Sequence, residues 1–533
     1  MTAAPTGPSV PADQPGGGPE VSAALPDRVV PTWTDPVAAQ ASEAVGGPWG
    51  RHAVTGRALF WTPLRICLLF TVGVLGLAWA KQAPCADGNW TGSKQYTHLC
   101  YNDAVPLFGI HGLSTGKVPY LDSPVEYPVL TGGFMQLAAV IARGYDSLAT
   151  GLGALPDPVP VQTYYVVTCL LLSVLAFAVT RGVLALAGRR PWDAAMFALS
   201  PVLLVYAFNN WDLLAVAFST LGMWAWARRH PVVAGVLLGL GVAAKLYPVM
   251  VLGVLFVLCL RAGRLRPWLS TAVSAGLAWL VVDLPIAVLA PGNWARFFSL
   301  SDTRPANPES IWAIALHYDP GFLDGPLAEG QTPSVLNATV AVLLVLCAAG
   351  VAFLALAAPL RPRVPQLAFL LVAAFLVLNK VYSPQYALWL LPLAVLARPR
   401  WRGLLLWQAS EALVWVLTML YYLGTANRGV DVEWFYFAVG ARDLALVVFM
   451  ALVVREIWNP DADPVRRSWP GTDDPTGGFL DGAPDRFTLR RRQSRWTRPD
   501  VHTDPLPGHR ATLLRGVPGR SGRIAGAHRS LSM

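Results

Sequence analysis

The sequence has little charge. Only 14% of its 533 residues are Asp, Glu, Lys or Arg, whereas 54% are hydrophobic. Soluble globular chains carry about 25% charged residues, so a soluble globular fold is excluded over most of the length. Apolar stretches of about 17 to 25 residues, the length that crosses the hydrocarbon core of a bilayer, recur between residues 60 and 454. An integral membrane protein with an all-α, multi-pass fold is predicted.

Lysine is scarce as well, and arginine carries most of the positive charge. The arginines fall in short clusters between apolar segments rather than on one continuous basic face. This distribution excludes nucleic acid as the partner despite the net charge of +9, and it follows the positive-inside rule of membrane topology. If the arginine clusters are cytoplasmic, all five lysines lie outside: Lys81, Lys94, Lys117, Lys245 and Lys380.

The six cysteines show no Cys-x-x-Cys or Cys/His spacing, so no metal site is expected. No cofactor is expected either, and nothing indicates a divalent cation. Cys85 and Cys100 share one predicted outer segment, where an oxidising compartment favours a disulfide between them. A bridge that closes a loop of about 15 residues contributes about 3 kcal/mol.

Three regions are expected along the chain. Residues 1–55 are predicted to be a disordered cytoplasmic tail without a cleavable signal peptide, since the first 50 residues contain no apolar core. Residues 56–457 form the membrane domain. Residues 458–533 are predicted to be a disordered, basic, cytoplasmic tail, which either contacts anionic lipid headgroups or is solvated without a function.

About twelve membrane crossings are expected, twelve or thirteen by count. Two cytoplasmic termini require an even number, and 126–145 is the weakest of thirteen segments. These are 60–80, 126–145, 163–187, 193–208, 211–227, 231–246, 248–261, 268–290, 334–359, 366–379, 386–397, 403–423 and 434–454.

Two outer segments, 81–125 and 291–333, are too long to be simple turns, and loops of this length are usually functional or disordered. Their content of Trp, Tyr, His, Pro and acids argues against disorder. Juxtamembrane helices are expected in them, and residues 96–115 are predicted to form a short helix on the membrane surface. Asp103 would then lie near the lipid headgroups. Its carboxylate is a candidate general base, although capping a turn ahead of Pro106 is the simpler alternative.

Four short motifs follow one another along the chain. Glu126-Tyr127-Pro128 is followed by Asn-Asn-Trp-Asp-Leu-Leu-Ala at 209–215 and Lys-Leu-Tyr-Pro at 245–248. The last begins at Lys380 and reads Lys-Val-Tyr-Ser-Pro-Gln-Tyr-Ala-Leu-Trp-Leu-Leu-Pro. In these motifs the chain resembles glycosyltransferase family 87, a family of actinobacterial GT-C mannosyltransferases, over roughly residues 60–455.

The resemblance implies an inverting transfer of a hexose from a polyprenyl-phosphate donor to a lipid or cell-envelope glycan acceptor. Mannose is the first expectation, and a related sugar such as arabinose is the alternative. The reaction would take place on the outer face of the plasma membrane, with Asp103 as the catalytic base. Family members also use a histidine in the later outer segment, where His317 is the candidate. The Asn-Gln-Ser-Leu signature of that segment is altered here to Asn-Pro-Glu-Ser-Ile at 307–311, which leaves acceptor specificity open.

Further residues are expected to bind substrate. Lys245 and Lys380 would contact the donor phosphate or simply anchor their segments at the interface. Asp212 would orient a lysine or a ligand, or cap the next helix. The remaining candidates are Glu126, Tyr127 and Gln385, and Gln385 alternatively shapes a re-entrant loop.

Two other functions compete with an enzyme. A transporter or lipid flippase should show internal repeats and ionisable groups near the bilayer midplane. No clear repeat is present, and acids near the middle of the apolar segments, such as Asp283 and Glu411, are few. A catalytically altered accessory protein is the third reading. The concentration of polar residues in the two outer segments favours the enzyme.

Overall fold

The structure, a computed structural model, describes residues 60–152, 158–325, 330–469 and 472–489. Within these ranges the regular secondary structure is helical, apart from one isolated β-bridge between Pro119 and Ser123. The prediction of an all-α fold is confirmed for this part of the chain. The predicted N-terminal tail 1–55 lies outside the described residues.

Fifteen of the helices in the described ranges are labelled in chain order. They are α1 (Pro63–Gln82), α2 (Ala104–Ile110), α3 (Val129–Leu152), α4 (Pro160–Ala187), α5 (Asp212–Ala227), α6 (Pro231–Ala244), α7 (Val249–Ala262), α8 (Leu265–Leu289), α9 (Pro291–Thr303), α10 (Ile311–Tyr318), α11 (Ser334–Ala357), α12 (Val364–Leu378), α13 (Ala387–Ala397), α14 (Trp401–Leu423) and α15 (Val432–Trp458). Shorter helices span Lys94–Thr97, Ala195–Ala198, Pro201–Tyr206 and Pro464–Ser468.

Six helices of the described chain are long and apolar enough to cross a bilayer, judged by length and composition: α1, α4, α8, α11, α14 and α15. Their character as membrane helices shows best in α8, where Leu269, Val273, Leu277 and Val281 leave an apolar face uncovered. An uncovered apolar face of this kind is unfavourable in water but is stable in contact with lipid. The helices α5, α6, α7, α12 and Pro384–Ala397 are apolar but shorter. The full count of about twelve crossings therefore stays a prediction.

The segment 193–208 is not one continuous helix as expected. It is divided into Ala195–Ala198 and Pro201–Tyr206. Pro201 cannot donate a backbone hydrogen bond and begins the second helix, while the Ser200 hydroxyl caps it by accepting from Leu203 N at 3.2 Å. The weak segment 126–145 becomes α3, which begins one residue after Pro128.

The predicted surface helix at 96–115 is also different. The helix that forms there is α2, and it is shorter because the turns on either side interrupt it. Val105, Leu107 and Phe108 are buried, and the Phe108 ring stacks on that of Tyr164 in α4 with centroids 4.5 Å apart. These three residues therefore pack against protein rather than against lipid, whereas Ile110 at the end of the helix is exposed. Helices α9 and α10 occupy the second long segment, 291–333.

Close packing of α6 on α8 depends on two glycines. A Cβ on Gly235 would overlap Ser274 Oγ and Thr271 O, and one on Gly239 would overlap Ala275 O. Small residues four apart let two membrane helices approach with their backbones in contact. This contact fixes the position of α6, and therefore that of Lys245, which follows its last turn and belongs to the site described below.

The segment after α15 differs from the expectation of disorder over its described part, 459–469 and 472–489. The Asp463 carboxylate accepts from Arg363 Nε at 2.8 Å, and Asp485 pairs with both Arg261 and Arg361. The Trp226 indole donates to Gly477 O at 2.9 Å. The arginine clusters thus find carboxylate partners in the tail, and this pairing fixes the chain against the helix ends.

The arginine clusters and the lysines lie at opposite ends of the same helices. Helix α7 ends at the Arg261 cluster and begins just after Lys245. Helix α12 begins after Arg363 and ends just before Lys380. One end of the bundle therefore carries the paired arginines and the described residues that follow α15. The other end carries Lys245, Lys380 and the motifs around them.

Candidate functional site

At the end of the bundle that carries Lys245 and Lys380, a cavity of about 860 Å³ opens between the loops. Its walls come from the segments on either side of α2, from α9 and the stretch after it, from 379–386 and from the end of α14. Six of the predicted site residues line it: Asp103, Glu126, Tyr127, Lys245, Lys380 and Gln385. Residues that are far apart in the sequence thus share one space.

Asp103 stands at the N-terminus of α2, but its side chain does not cap the helix. That role belongs to Asn102, whose Oδ1 accepts from Val105 N at 3.0 Å. The Asp103 carboxylate instead accepts a hydrogen bond from Asn210 Nδ2 to its Oδ2 at 2.6 Å. The side chain is therefore directed at the cavity wall rather than used for local capping.

The environment of Asp103 changes its acidity. Burial raises the pKa of this carboxyl to about 6, although hydrogen bonds from Asn210 and Tyr101 and the charge of Lys245 work in the opposite direction. A base is most effective when its pKa lies near the working pH. At neutral pH, Asp103 is mostly ionised yet more basic than an ordinary aspartate.

Lys245 lies just after α6 and is nearly buried, with 6% of its surface exposed. Its Nζ is 3.4 Å from Asp212 Oδ1 and 4.7 Å from the centre of the Tyr127 ring. Asp212 has no exposed surface and also accepts from the Trp389 indole at 2.8 Å. Asp212 thus stays behind the cavity wall, where it orients Lys245 and balances its charge.

Lys380 and Arg304 form a second basic region of the cavity. Lys380 Nζ donates to Asp302 O at 2.9 Å, and Asn307 N donates to Lys380 O at 2.7 Å. Burial, together with the charge of Arg304, lowers the pKa of Lys380 against the opposing charge of Asp302. Arg304 Nη2 lies 3.6 Å from Glu126 Oε2, with both side chains about one third exposed.

The loop with Gln385 is supported by stacked aromatic rings. Tyr386 stacks on Trp389 with centroids 4.1 Å apart, and Trp389 stacks on Tyr247 at 4.7 Å. Gln385 lies at the cavity surface beside this stack. The sequence named Tyr386 and Trp389 only as part of a motif, and the structure explains them as the support of the site.

His317 is not brought to the cavity. It lies near the end of α10 with an exposed side chain, and its ring lies 5.1 Å from the rings of Tyr318 and Tyr436. The substrate contact expected for this histidine stays a prediction, and the structure places its side chain outside the lining of this cavity. The reason is geometric, because the cavity wall in this region is made by residues 304–309, before α10 begins.

Among the cavity residues that sequence reasoning missed, three carry polar groups that matter for the proposed chemistry: Asn210, Arg304 and Glu309. Asn210 had a signal, since it stands inside the motif at 209–215. Glu309 had one too, since it is the acid of the altered segment 307–311. Arg304 had none, because arginine was taken as a marker of the cytoplasmic side.

Cys85 and Cys100 are joined by a disulfide, with Cα atoms 5.8 Å apart. The Trp90 indole donates to Cys85 O at 3.1 Å inside the loop that the bridge closes. The bridge fixes the chain three residues before Asp103. As for metals, the described ranges contain no group of three or more His, Cys, Asp and Glu residues that could hold an ion.

No curated protein matches this sequence. Among protein-family models, that of glycosyltransferase family 87 matches residues 145–379. The match includes Asp212, Lys245 and His317; it begins after Asp103 and stops one residue before Lys380. The resemblance drawn from the motifs is thereby confirmed over residues 145–379: this part of the chain matches glycosyltransferase family 87, which supports a membrane glycosyltransferase.

Proposed function

We propose that the protein transfers a hexose, in the first place mannose, from a polyprenyl-phosphate donor to a hydroxyl of a lipid or cell-envelope glycan. The reaction takes place on the extracytoplasmic face of the plasma membrane and inverts the anomeric centre. One observation carries the proposal. An oriented carboxylate, Asp103, shares a cavity with the basic side chains of Lys245, Arg304 and Lys380.

Asp103 acts as the general base. The acceptor hydroxyl gives its proton to the Asp103 carboxylate while its oxygen attacks the anomeric carbon of the donor sugar. The bond from that carbon to the phosphate oxygen breaks, and polyprenyl phosphate leaves with the electron pair. A single displacement of this kind inverts the configuration. Asn210 keeps the carboxylate oriented through the step.

The leaving phosphate gains negative charge as the bond breaks, and cations placed there stabilise the transition state. Lys245 is less suited to this task, since Asp212 already balances its charge at 3.4 Å. Lys380 has a backbone carbonyl but no carboxylate within ion-pair distance among the described residues. Arg304 is only partly engaged by Glu126. We therefore assign the phosphate to Lys380 and Arg304.

Donor binding tests this assignment. Lys380→Ala should raise the Kd for radiolabelled polyprenyl-phosphate mannose by about 10- to 100-fold, the worth of one hydrogen bond to a charged group. Lys94→Ala is the matched control, since Lys94 pairs with Asp87 at 3.9 Å outside the cavity. The measurement is filter binding to the purified protein.

An unchanged Kd in Lys380→Ala would refute the phosphate assignment. Membranes that carry the wild-type protein should also move label from the donor into a lipid or glycan product. If no polyprenyl-phosphate hexose gave a labelled product, the donor class itself would be wrong.

A further inference from the structure

Besides Asp103 and Glu126, the reaction cavity holds a third acid, Glu309, which the transfer step described above does not use. It lines the cavity although only 5% of its surface is exposed. One of its carboxylate oxygens, Oε2, accepts from Asn307 Nδ2. The backbone N–H of Glu309 also hydrogen-bonds its own carboxylate, and no basic side chain of the described residues lies within ion-pair distance of it.

The backbone at Glu309 is held from behind. Arg442, which is fully buried on α15, donates from Nη2 to Glu309 O at 2.6 Å. The guanidinium charge is balanced by Asp443, whose Oδ1 lies 3.0 Å from Arg442 Nε, and the group lies 3.7 Å from the centre of the Tyr382 ring. Arg442 therefore fixes the position of residue 309 without neutralising its carboxylate directly.

An aromatic wall runs between Asp103 and Glu309. Tyr101 donates a hydrogen bond to Asp103 at one end. Tyr96 and Tyr422 continue the wall, with stacked rings whose centroids are 6.0 Å apart. At the other end, Glu309 lines the same cavity as Tyr422. All three tyrosines line the cavity.

An aromatic wall between two carboxyl groups suits a sugar ring. The C–H face of a pyranose packs on aromatic rings, and its hydroxyls donate to carboxylates in charge-assisted hydrogen bonds. Burial raises the pKa of Glu309 to about 7, so this carboxyl is about half ionised at neutral pH and offers a phosphate no attraction. The charged part of the donor belongs at Lys380 and Arg304. The ring that presents a hydroxyl to Asp103 and extends along the wall is that of the acceptor.

We propose that Glu309 binds a hydroxyl of the acceptor sugar and so selects a pyranose-bearing acceptor over a bare lipid alcohol. This inference rests on the proposed function and narrows its acceptor class. Glu309 is then a specificity-determining residue that touches substrate, and Arg442 is the residue that positions it.

The test uses the purified full-length protein in lipid nanodiscs with two probes, octyl α-D-mannopyranoside and the ring-free 1-O-octyl glycerol. Glu309→Gln keeps the size of the side chain and an oxygen for Asn307 but loses the negative charge. Measured at about pH 8, where most of the wild-type Glu309 is ionised, the Kd of the variant for the mannoside should be about 10-fold higher or more, as a charge-assisted bond becomes a neutral one. The kcat at saturating mannoside should stay within about twofold of wild type, because the lost contact is made equally in the ground state and the transition state.

Glu433→Gln is the control, since Glu433 is exposed on α15 and outside the cavity lining. Octyl glycerol should bind weakly and with no sensitivity to position 309. The inference is wrong if Glu309→Gln binds the mannoside like wild type, if the wild type does not bind it, or if octyl glycerol binds as tightly.

These outcomes are separable from the fate of the proposed function. Asp103→Asn should bind the mannoside normally and fail to transfer. If Asp103→Asn is active and Glu309→Gln binds the mannoside weakly, Asp103 is not the general base, but Glu309 is still part of the acceptor site. If Asp103→Asn is inactive and Glu309→Gln binds the mannoside normally, the role of Asp103 is supported and the role of Glu309 is refuted.

Discussion

The surroundings of Asp103 shift the pKa of its carboxyl in opposite directions. Burial makes the carboxyl more basic, while Asn210, Tyr101 and Lys245 stabilise its ionised form. Asn210 also donates to the Tyr127 hydroxyl at 3.0 Å, so this amide orients two cavity residues at once. The balance leaves a carboxylate that is charged at neutral pH and still basic enough to accept a proton.

The pH dependence of transfer should report this balance. A protonated Asp103 cannot accept a proton, so kcat/KM should be level above about pH 7 and fall about tenfold per pH unit below about pH 6. Asn210→Ala should move that acidic limb to higher pH, because it removes a hydrogen bond that lowers the pKa of Asp103. The measurement is kcat/KM across the pH range for both proteins.

Asn89→Ala is the control for this profile, since the Asn89 side chain bonds only within its own turn, to Thr91. An acidic limb that stays in place in Asn210→Ala, or a flat profile in the wild type, would show that Asp103 does not govern the rate.

A site residue could be predicted from the sequence where its residue type is unusual for the segment around it. Asp103, Lys245 and Lys380 stood out because charges are rare beside apolar segments. Asn210 and Glu309 did not, because their importance comes from contacts across more than a hundred residues, to Asp103 and Arg442. His317 was expected in the cavity because of its segment, but the sequence could not show that the chain turns away before it.

At the scale of the helices, the contact of α6 with α8 is a point where small changes should be costly. A larger side chain at Gly239 must displace the backbone at Ala275. Gly239→Val should therefore destabilise the protein by about 1–3 kcal/mol, the usual cost of overpacking. The measurement is the thermal unfolding of the purified protein in detergent.

Gly253→Val provides the comparison, since a Cβ at Gly253 on α7 meets nothing within 4 Å. If both variants unfolded at the wild-type temperature, α6 and α8 would not be in backbone contact.

Apolar length and proline positions predicted most helices but not their partners. Hydropathy is an average over many residues, so it shows neither the break at Pro201 nor the ion pair between Asp463 and Arg363. The arginine clusters were interpreted as topology signals alone. In the structure they also hold the segment after α15, a role that only three-dimensional contacts reveal.

For the whole molecule, the cavity and the paired arginines lie at opposite ends of the bundle, and we predict that the cavity end is extracytoplasmic. Single cysteines at the exposed positions Ser114 and Ser299 should react with an impermeant maleimide in intact cells. A cysteine at the exposed Asp461 should react only after permeabilisation. The background protein carries Cys347→Ala, since Cys347 is the one free cysteine in the described chain that is not buried.

Labelling of Asp461→Cys in intact cells, with protection of the other two, would place the cavity on the cytoplasmic side. A lipid-linked donor would then have to be used at the inner face, and the proposed function would need a different donor pool.

The most direct test of the account is the turnover of Asp103→Asn. The variant should fold normally, bind the donor as wild type and lose about 10²- to 10⁴-fold in kcat, because proton abstraction is a transition-state interaction. Asp122→Asn in the same outer segment is the matched control. Asp122 caps a turn by accepting from Val118 N at 2.8 Å, a role that Asn retains. Wild-type turnover in a well-folded Asp103→Asn would contradict the account and make Glu126 the next candidate for the base.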